Sequence, residues 1–402
     1  MSNYKNVPVF VGILLFLSIK ISLVNAQTYS GIDYGKTGNA YQKLDIYMPA
    51  AGAKPYPVVV WIHGGGFSGG TRTEGNASQL AGLLGPLGAA VVSIDYRLSG
   101  TAQWPAQSQD CKAAIRWIRA NAATYNFDPN RIGAAGGSAG GHLSEFVGVT
   151  GDIDSATSGT VTMDLEGTVG GTSGYSSKVQ AVAPMYGLSD FLTLNDACPQ
   201  NNPTISSIDH DAANSPEGLL MGGLIQNIKD KCTLASPLHF VSPDDPPFCI
   251  LHGNRDASVP VCQSITFAAA LRTAFSTNKK ECQFIQYPTF SHGFSVSSCG
   301  DTMRAFFTRN LINLKTGVSD RVFDSPLIKS PLSLSGNSLI VSTRLWADLF
   351  IVNTLGRVVL FQSVNGSLKP LALDLMSTGR GVFFVTLREA NNTAFVKMTI
   401  IR

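Results

Sequence analysis

Charge is scarce in this sequence. Only 14% of its 402 residues are Asp, Glu, Lys or Arg, against the roughly 25% usual for a globular chain. That scarcity excludes a disordered or coiled-coil protein, both of which need dense charge. Basic and acidic residues nearly balance, 30 against 27, and no Lys/Arg block stands out, so neither nucleic acid nor an anionic membrane surface finds an electrostatic footprint. The seven cysteines form no C-x-x-C and no H-E-x-x-H occurs, so the sequence calls for no zinc site. No metal or cofactor is expected.

Apolar residues make up 44% of the chain, enough for a sizeable core. One long apolar run exists, Val7 to Val24, preceded by Lys5, split by Lys20 and ending in Val24-Asn25-Ala26. It has the form of a secretory signal peptide over residues 1–26, and no membrane span is expected after it. Removing Lys5 and Lys20 takes the net charge from +3 to +1. Export permits disulfides; an odd count leaves at least one thiol unpaired within a monomer. Cys198 and Cys232, flanking a loop-rich segment, are the expected pair. Cys249, inside Pro247-Phe-Cys-Ile-Leu251, is expected as a buried free thiol.

From about residue 40 to 315, short β-branched runs alternate with helical periodicity. Strand candidates are 57–62, 89–95, 131–135, 179–185, 248–252 and 282–287; helix candidates include 111–125, 259–273 and 299–314. Apolar strands separated by helices spell a mostly parallel sheet covered on both faces, a doubly wound α/β fold over 27–315. Residues 151–177 and 186–245 are irregular, and both are expected as insertions near the carboxyl ends of the strands, where such folds bind ligands. Residues 316–336 look like a linker. Residues 337–402 carry short strands at turn-punctuated intervals, predicting a small β-sandwich, and contain neither His nor Cys.

Gly136-Gly-Ser-Ala-Gly140 is a G-x-S-x-G between a strand and a helix. A serine at such a turn adopts a strained backbone, and side chains two residues away on either side would collide with their surroundings. Ser138 is therefore the candidate nucleophile. His63-Gly-Gly-Gly-Phe67 follows the first strand candidate without the Lys-Ser/Thr of a phosphate loop. Gly65 and Gly66, with the N–H of Ala139, are expected to hold an oxyanion, each such donor contributing about 3–4 kcal/mol; His63 is expected to support the loop. In the chain order Ser, acid, His, His292 is the sole histidine after residue 252 and becomes the base by elimination. Asp256, just past a strand end, is preferred as the acid over Asp190, which follows another. Asp244 and Asp245 precede their strand.

Residues ~40–315 resemble the α/β-hydrolase group of secreted feruloyl and acetyl-xylan esterases, near the hormone-sensitive-lipase and kynurenine-formamidase branches. The resemblance rests on His63-Gly-Gly-Gly-Phe67, Asp95-Tyr-Arg97, Asp110 with Ala113-Ala-Ile-Arg-Trp117, Gly137-Ser-Ala-Gly-Gly-His-Leu143, His252 to Pro260, and Ser291-His-Gly293. It implies the same Ser138, His292 and Asp256, and a serine esterase releasing acetyl or feruloyl groups from plant cell-wall xylan. Gly137, where hormone-sensitive lipases usually carry an acid, points to the esterase branch. Residues ~330–402 resemble the C-terminal sorting domain of the type IX secretion system, through Asn353-Thr-Leu-Gly356 and Gly381-Val-Phe383, which implies contact with that machinery and an extracellular or surface-attached protein. Other readings are a short-chain carboxylesterase, a formamidase or peptidase-like hydrolase, and a non-catalytic carbohydrate-binding surface protein. Phe67, Trp104, Phe290 and Phe294 are placed near the site, where they would either hold a cinnamoyl ring or serve as core.

Overall fold

The structure is a computed structural model that describes residues 27–50, 52–196, 198 and 208–313, and, as backbone alone, seven strands between 332 and 400. The signal-peptide and linker-centre residues lie outside the described residues.

Ten strands belong to the first part: β1 (Gln27–Asp33), β2 (Lys43–Tyr47), β3 (Tyr56–Ile62), β4 (Ala90–Ile94), β5 (Phe127–Gly137), β6 (Ser155–Ser158), β7 (Val161–Asp164), β8 (Ala181–Met185), β9 (Phe248–Gly253) and β10 (Cys282–Tyr287). Eight form one sheet in the order β1-β2-β4-β3-β5-β8-β9-β10. From β4 to β10 every pairing is parallel; β1 and β2 add an antiparallel edge.

Period-two alternation sorts β3 between two cores. Val58, Val60 and Ile62 face a cluster with Ile115, Phe146 and Leu271, from the helices Ala106–Ala120, Ala139–Thr150 and Cys262–Ala274. Val59 and Trp61 face the opposite cluster with Leu80 and Phe306, from Gly75–Leu84 and Val296–Phe307. All seven β3 residues are buried, and each large aliphatic side chain so buried contributes about 1.5–3 kcal/mol. A continuous apolar run is what a strand covered on both faces requires.

The six expected strands are all present. The edge β1-β2, whose mixed composition hides its period, and the helix Gly75–Leu84 went unread, as did the β6-β7 hairpin and the short helices Pro216–Met221 and Lys229–Thr233 inside the stretches read as irregular. The second insertion does reach the carboxyl ends of the strands. The first departs from expectation: its β6-β7 hairpin leads into Glu166, which pairs with the buried Lys112 (3.1 Å) and Arg116 on the helix Ala106–Ala120. Two cations with no exposure draw the segment along that helix.

The expected disulfide is also corrected. Cys198 bonds Cys262, while Cys232 is a free, buried thiol whose Sγ faces the Ile225 carbonyl. Cys262 opens the helix just after the Asp256 loop, so the bond ties the insertion to the catalytic unit rather than closing it on itself. Cys249 is buried and free, its thiol pushed far up by burial.

Beyond residue 331 the strands form a three-stranded and a four-stranded antiparallel sheet. The first of them, Leu332–Ser335, falls inside the stretch expected as linker.

Candidate active site

Three loops leave the carboxyl ends of β5, β9 and β10. At the first, Ser138 sits between β5 and the helix Ala139–Thr150 with φ 57° and ψ −122°, a conformation a non-glycine residue holds only where its surroundings over-determine it. Its N–H donates to the Met185 carbonyl at 3.0 Å, and its carbonyl accepts from the His142 N–H at 2.9 Å. A side chain starting at Gly140 would lie 2.1 Å from the Ile62 carbonyl oxygen. Glycine lets the helix start press against β3, and that pressure holds the serine up.

The second loop carries Asp256. A Cβ on Gly253 would fall 2.2 Å from the Phe290 carbonyl oxygen, which instead accepts the Arg255 N–H at 2.9 Å, while Asn254 N–H donates to Tyr287. The acid loop and the base loop are thereby sewn together, and His292 of the third loop reaches both neighbours. Its Nδ1 lies 2.8 Å from Asp256 Oδ2 and its Nε2 2.8 Å from Ser138 Oγ. Because Nδ1 faces a carboxylate it carries the hydrogen, leaving Nε2 to accept from the serine hydroxyl.

Asp256 is fully buried. Burial pushes its carboxyl upward, but hydrogen bonds from His252 and His292 outweigh that and hold it well below the usual carboxylate range. Oδ1 also accepts the N–H groups of Ser258 (2.9 Å) and Val259 (2.8 Å). His252 is a residue the sequence reading passed over as a participant. Its Nε2 lies 3.2 Å from Asp256 Oδ2 and 3.0 Å from the Val259 carbonyl. Facing two acceptors, that nitrogen carries the hydrogen, and the Ser264 hydroxyl donates to Nδ1 at 2.7 Å. The i,i+4 spacing of His252 and Asp256 was the available signal. Tyr186, also unread, sets its ring edge against His292 with centroids 4.9 Å apart and donates its hydroxyl to the Phe294 carbonyl at 2.9 Å.

Ser138 and His292 open into a cleft of about 480 Å³ that Gly65, Gly66 and Ala139 also line. Beneath the glycine loop, His63 is buried, stacks on Tyr96 at 4.3 Å and has Nδ1 2.7 Å from the Gly64 carbonyl. Burial pushes that imidazole down, which suits a neutral supporting ring. Tyr96 belongs to the Asp95-Tyr-Arg97 motif, and both its neighbours are pinned: Asp95 by Arg72 (2.5 Å), and Arg97 in a fork to the buried Asp110 (2.8 Å each). These motif residues buttress the loop rather than face the cleft.

Asp190 instead caps the short turn Phe191–Thr193, accepting the Leu192 N–H, and Asp245 bonds Ser242 ahead of β9. Among the four aromatics, Phe67 lines the cleft, Trp104 packs on His142 and Phe146 in the core, and Phe290 and Phe294 cluster with Tyr287 and Tyr186. The second insertion supplies His210, Pro216 and Glu217 to the cleft lining. Burial disfavours the His210 cation, yet its bond to Glu217 outweighs this and raises its pKa.

A mostly parallel sheet with a serine on its strand-to-helix turn defines an α/β-hydrolase. Residues 44–271 match the BD-FAE family, and the chain belongs to it. The probable carboxylic ester hydrolase LipM of Mycobacterium tuberculosis is 32% identical over 66% of this chain and 56% of its own length. Esterase LipQ of the same organism is 32% identical over 68% of this chain and 58% of its own. The chain thus spans a little over half of these curated relatives. Among solved structures, a truncated form of a carbohydrate esterase from gut microbiota shares 33% identity with a TM-score of 0.65, covering 71% of this chain and 98% of that one. The bifunctional GH43-CE of Bacteroides eggerthii shares 38% identity with a TM-score of 0.63, over 70% of this chain and 38% of that one. Among the described residues, no helix is long and apolar enough to cross a membrane.

Proposed function

We propose that this protein is a serine carboxylesterase acting on carbohydrate esters. The observation that carries the reading is the unbroken hydrogen-bonded run from Ser138 Oγ through His292 to Asp256, at 2.8 Å for each link, opening beside a loop of glycines. Ser138 Oγ attacks the acyl carbon and passes its proton to His292 Nε2. Asp256, kept ionised by its donors, stabilises the imidazolium that forms. The amides of Gly65, Gly66 and Ala139 receive the negative charge that develops on the carbonyl oxygen. His292 then protonates the departing alcohol oxygen, leaving an acyl-serine, and a water activated by the same imidazole releases the acid.

The finer reading is removal of acetyl or feruloyl side groups from plant cell-wall xylan outside the cell. The carbohydrate-esterase names of similar structures support the sugar. The signal-like residues 1–26 and the sorting-domain resemblance of ~330–402 support export and contact with the type IX machinery. Purified protein should be assayed side by side on acetylated xylan, methyl ferulate and p-nitrophenyl acetate. Acetate release without ferulate release assigns the acyl group, the reverse assigns the other, and no hydrolysis of any of the three overturns the esterase reading.

A further inference from the structure

The part of the cleft lining that the second insertion supplies holds an acid–imidazole pair that the acyl-transfer steps do not use. His210 Nδ1 lies 2.9 Å from Glu217 Oε2, and the two residues are 1% and 3% exposed while both line the cleft. The His210 ring also hydrogen-bonds the backbone of Ser258, whose N–H binds Asp256. Glu217 is the second residue of the short helix Pro216–Met221, and Pro216 sits 3.5 Å from where a side chain on Gly66 would begin. The pair therefore lies between the glycine loop and the acid loop, within the cleft that Ser138 and His292 open into. Glu217 is held by His210 through Oε2 at 2.9 Å, and the residue lines the cleft. A carboxylate locked through one oxygen is an acceptor of fixed direction, suited to a hydroxyl group. An alkyl or aryl alcohol has no second hydroxyl to offer it; a sugar ring does.

We infer that Glu217, positioned by His210, hydrogen-bonds a hydroxyl of the leaving sugar and so makes the cleft select carbohydrate esters over simple ones. This rests on the esterase reading above. The test compares kcat/KM for acetylated xylotriose with kcat/KM for p-nitrophenyl acetate, in the wild-type chain and in Glu217→Gln. An amide keeps the shape and loses the charge. The ratio is expected to fall about tenfold or more, chiefly through KM, with methyl ferulate following the aryl ester. An unchanged ratio, or a loss confined to methyl ferulate, overturns the sugar assignment. Turnover of p-nitrophenyl acetate with none of acetylated xylotriose also overturns it and leaves the esterase reading standing; turnover of neither removes both. If Glu217→Gln does not accumulate, the wild-type chain decides the matter. Xylotriose is expected to inhibit p-nitrophenyl acetate hydrolysis competitively, and no inhibition refutes the subsite.

Discussion

Two buried carboxyls, one on the loop after β9 and one on the helix that follows the nucleophile, are treated in opposite ways. Asp256 takes hydrogen bonds from two imidazoles and two backbone amides, and these hold it well below the usual range against the upward push of burial. Glu145 lies in Ala139–Thr150, a helix buried along its whole length, and neither of its oxygens has a partner among the described residues. Burial alone raises its pKa far above normal. The difference shows that depth does not decide charge here; donors do. The candidate acid on the loop takes four donors, whereas burial alone acts on the helical acid and pushes its carboxyl up.

Breaking the working side of this comparison gives the largest effects. Ser138→Ala should lower kcat for p-nitrophenyl acetate by up to ~10⁶, since members of such a set act as a unit; undiminished turnover would refute the nucleophile. Asp256→Asn should cost about 10⁴ in kcat by disturbing the His292 tautomer, measured on the same ester with near-native circular dichroism. It should also alter acid stability. The Asp256 pKa is depressed in the fold, so its contribution is present above the ordinary Asp value and lost as pH falls below it. The variant's urea midpoint should therefore fall less steeply on acidification than the wild type's.

The silent side is sharpened by Glu145→Met. A raised carboxyl pKa carries the opposite sign: wild-type stability is greatest below the ordinary Glu value and is lost as pH rises, because folding then requires proton uptake. Removing the unpaired acid should stabilise by about 1–3 kcal/mol at pH 8, and by less at pH 4, in paired urea titrations. A loss of stability at pH 8 would show that Glu145 has a partner of its own. The smallest effect expected is from deleting residues 330–402, which should leave hydrolysis of p-nitrophenyl acetate by the remaining chain unchanged. A truncated chain that folds but does not hydrolyse would contradict that division of labour.

Much of the candidate site was readable along the chain. Ser138 stands where a strand stops and glycines begin, His292 is the last histidine, and Asp256 follows a strand end; each depends on local order. The partners were not readable. Glu145 looks like any helical acid until the helix is seen to be enclosed on every side. Cys198 and Cys232 look like a pair until Cys198 is seen bonded to Cys262. His252 looks like a strand residue until its nitrogen meets Asp256.

The sequence by itself determined the order of strands and helices, the glycines at the crowded turns and the chemical kind of each site residue, because periodicity and backbone sterics act between near neighbours. Only the tertiary structure decided which carboxyl is pushed up and which is held down, which cysteines join and which acid faces the cleft, because those follow from distances between segments far apart in the chain.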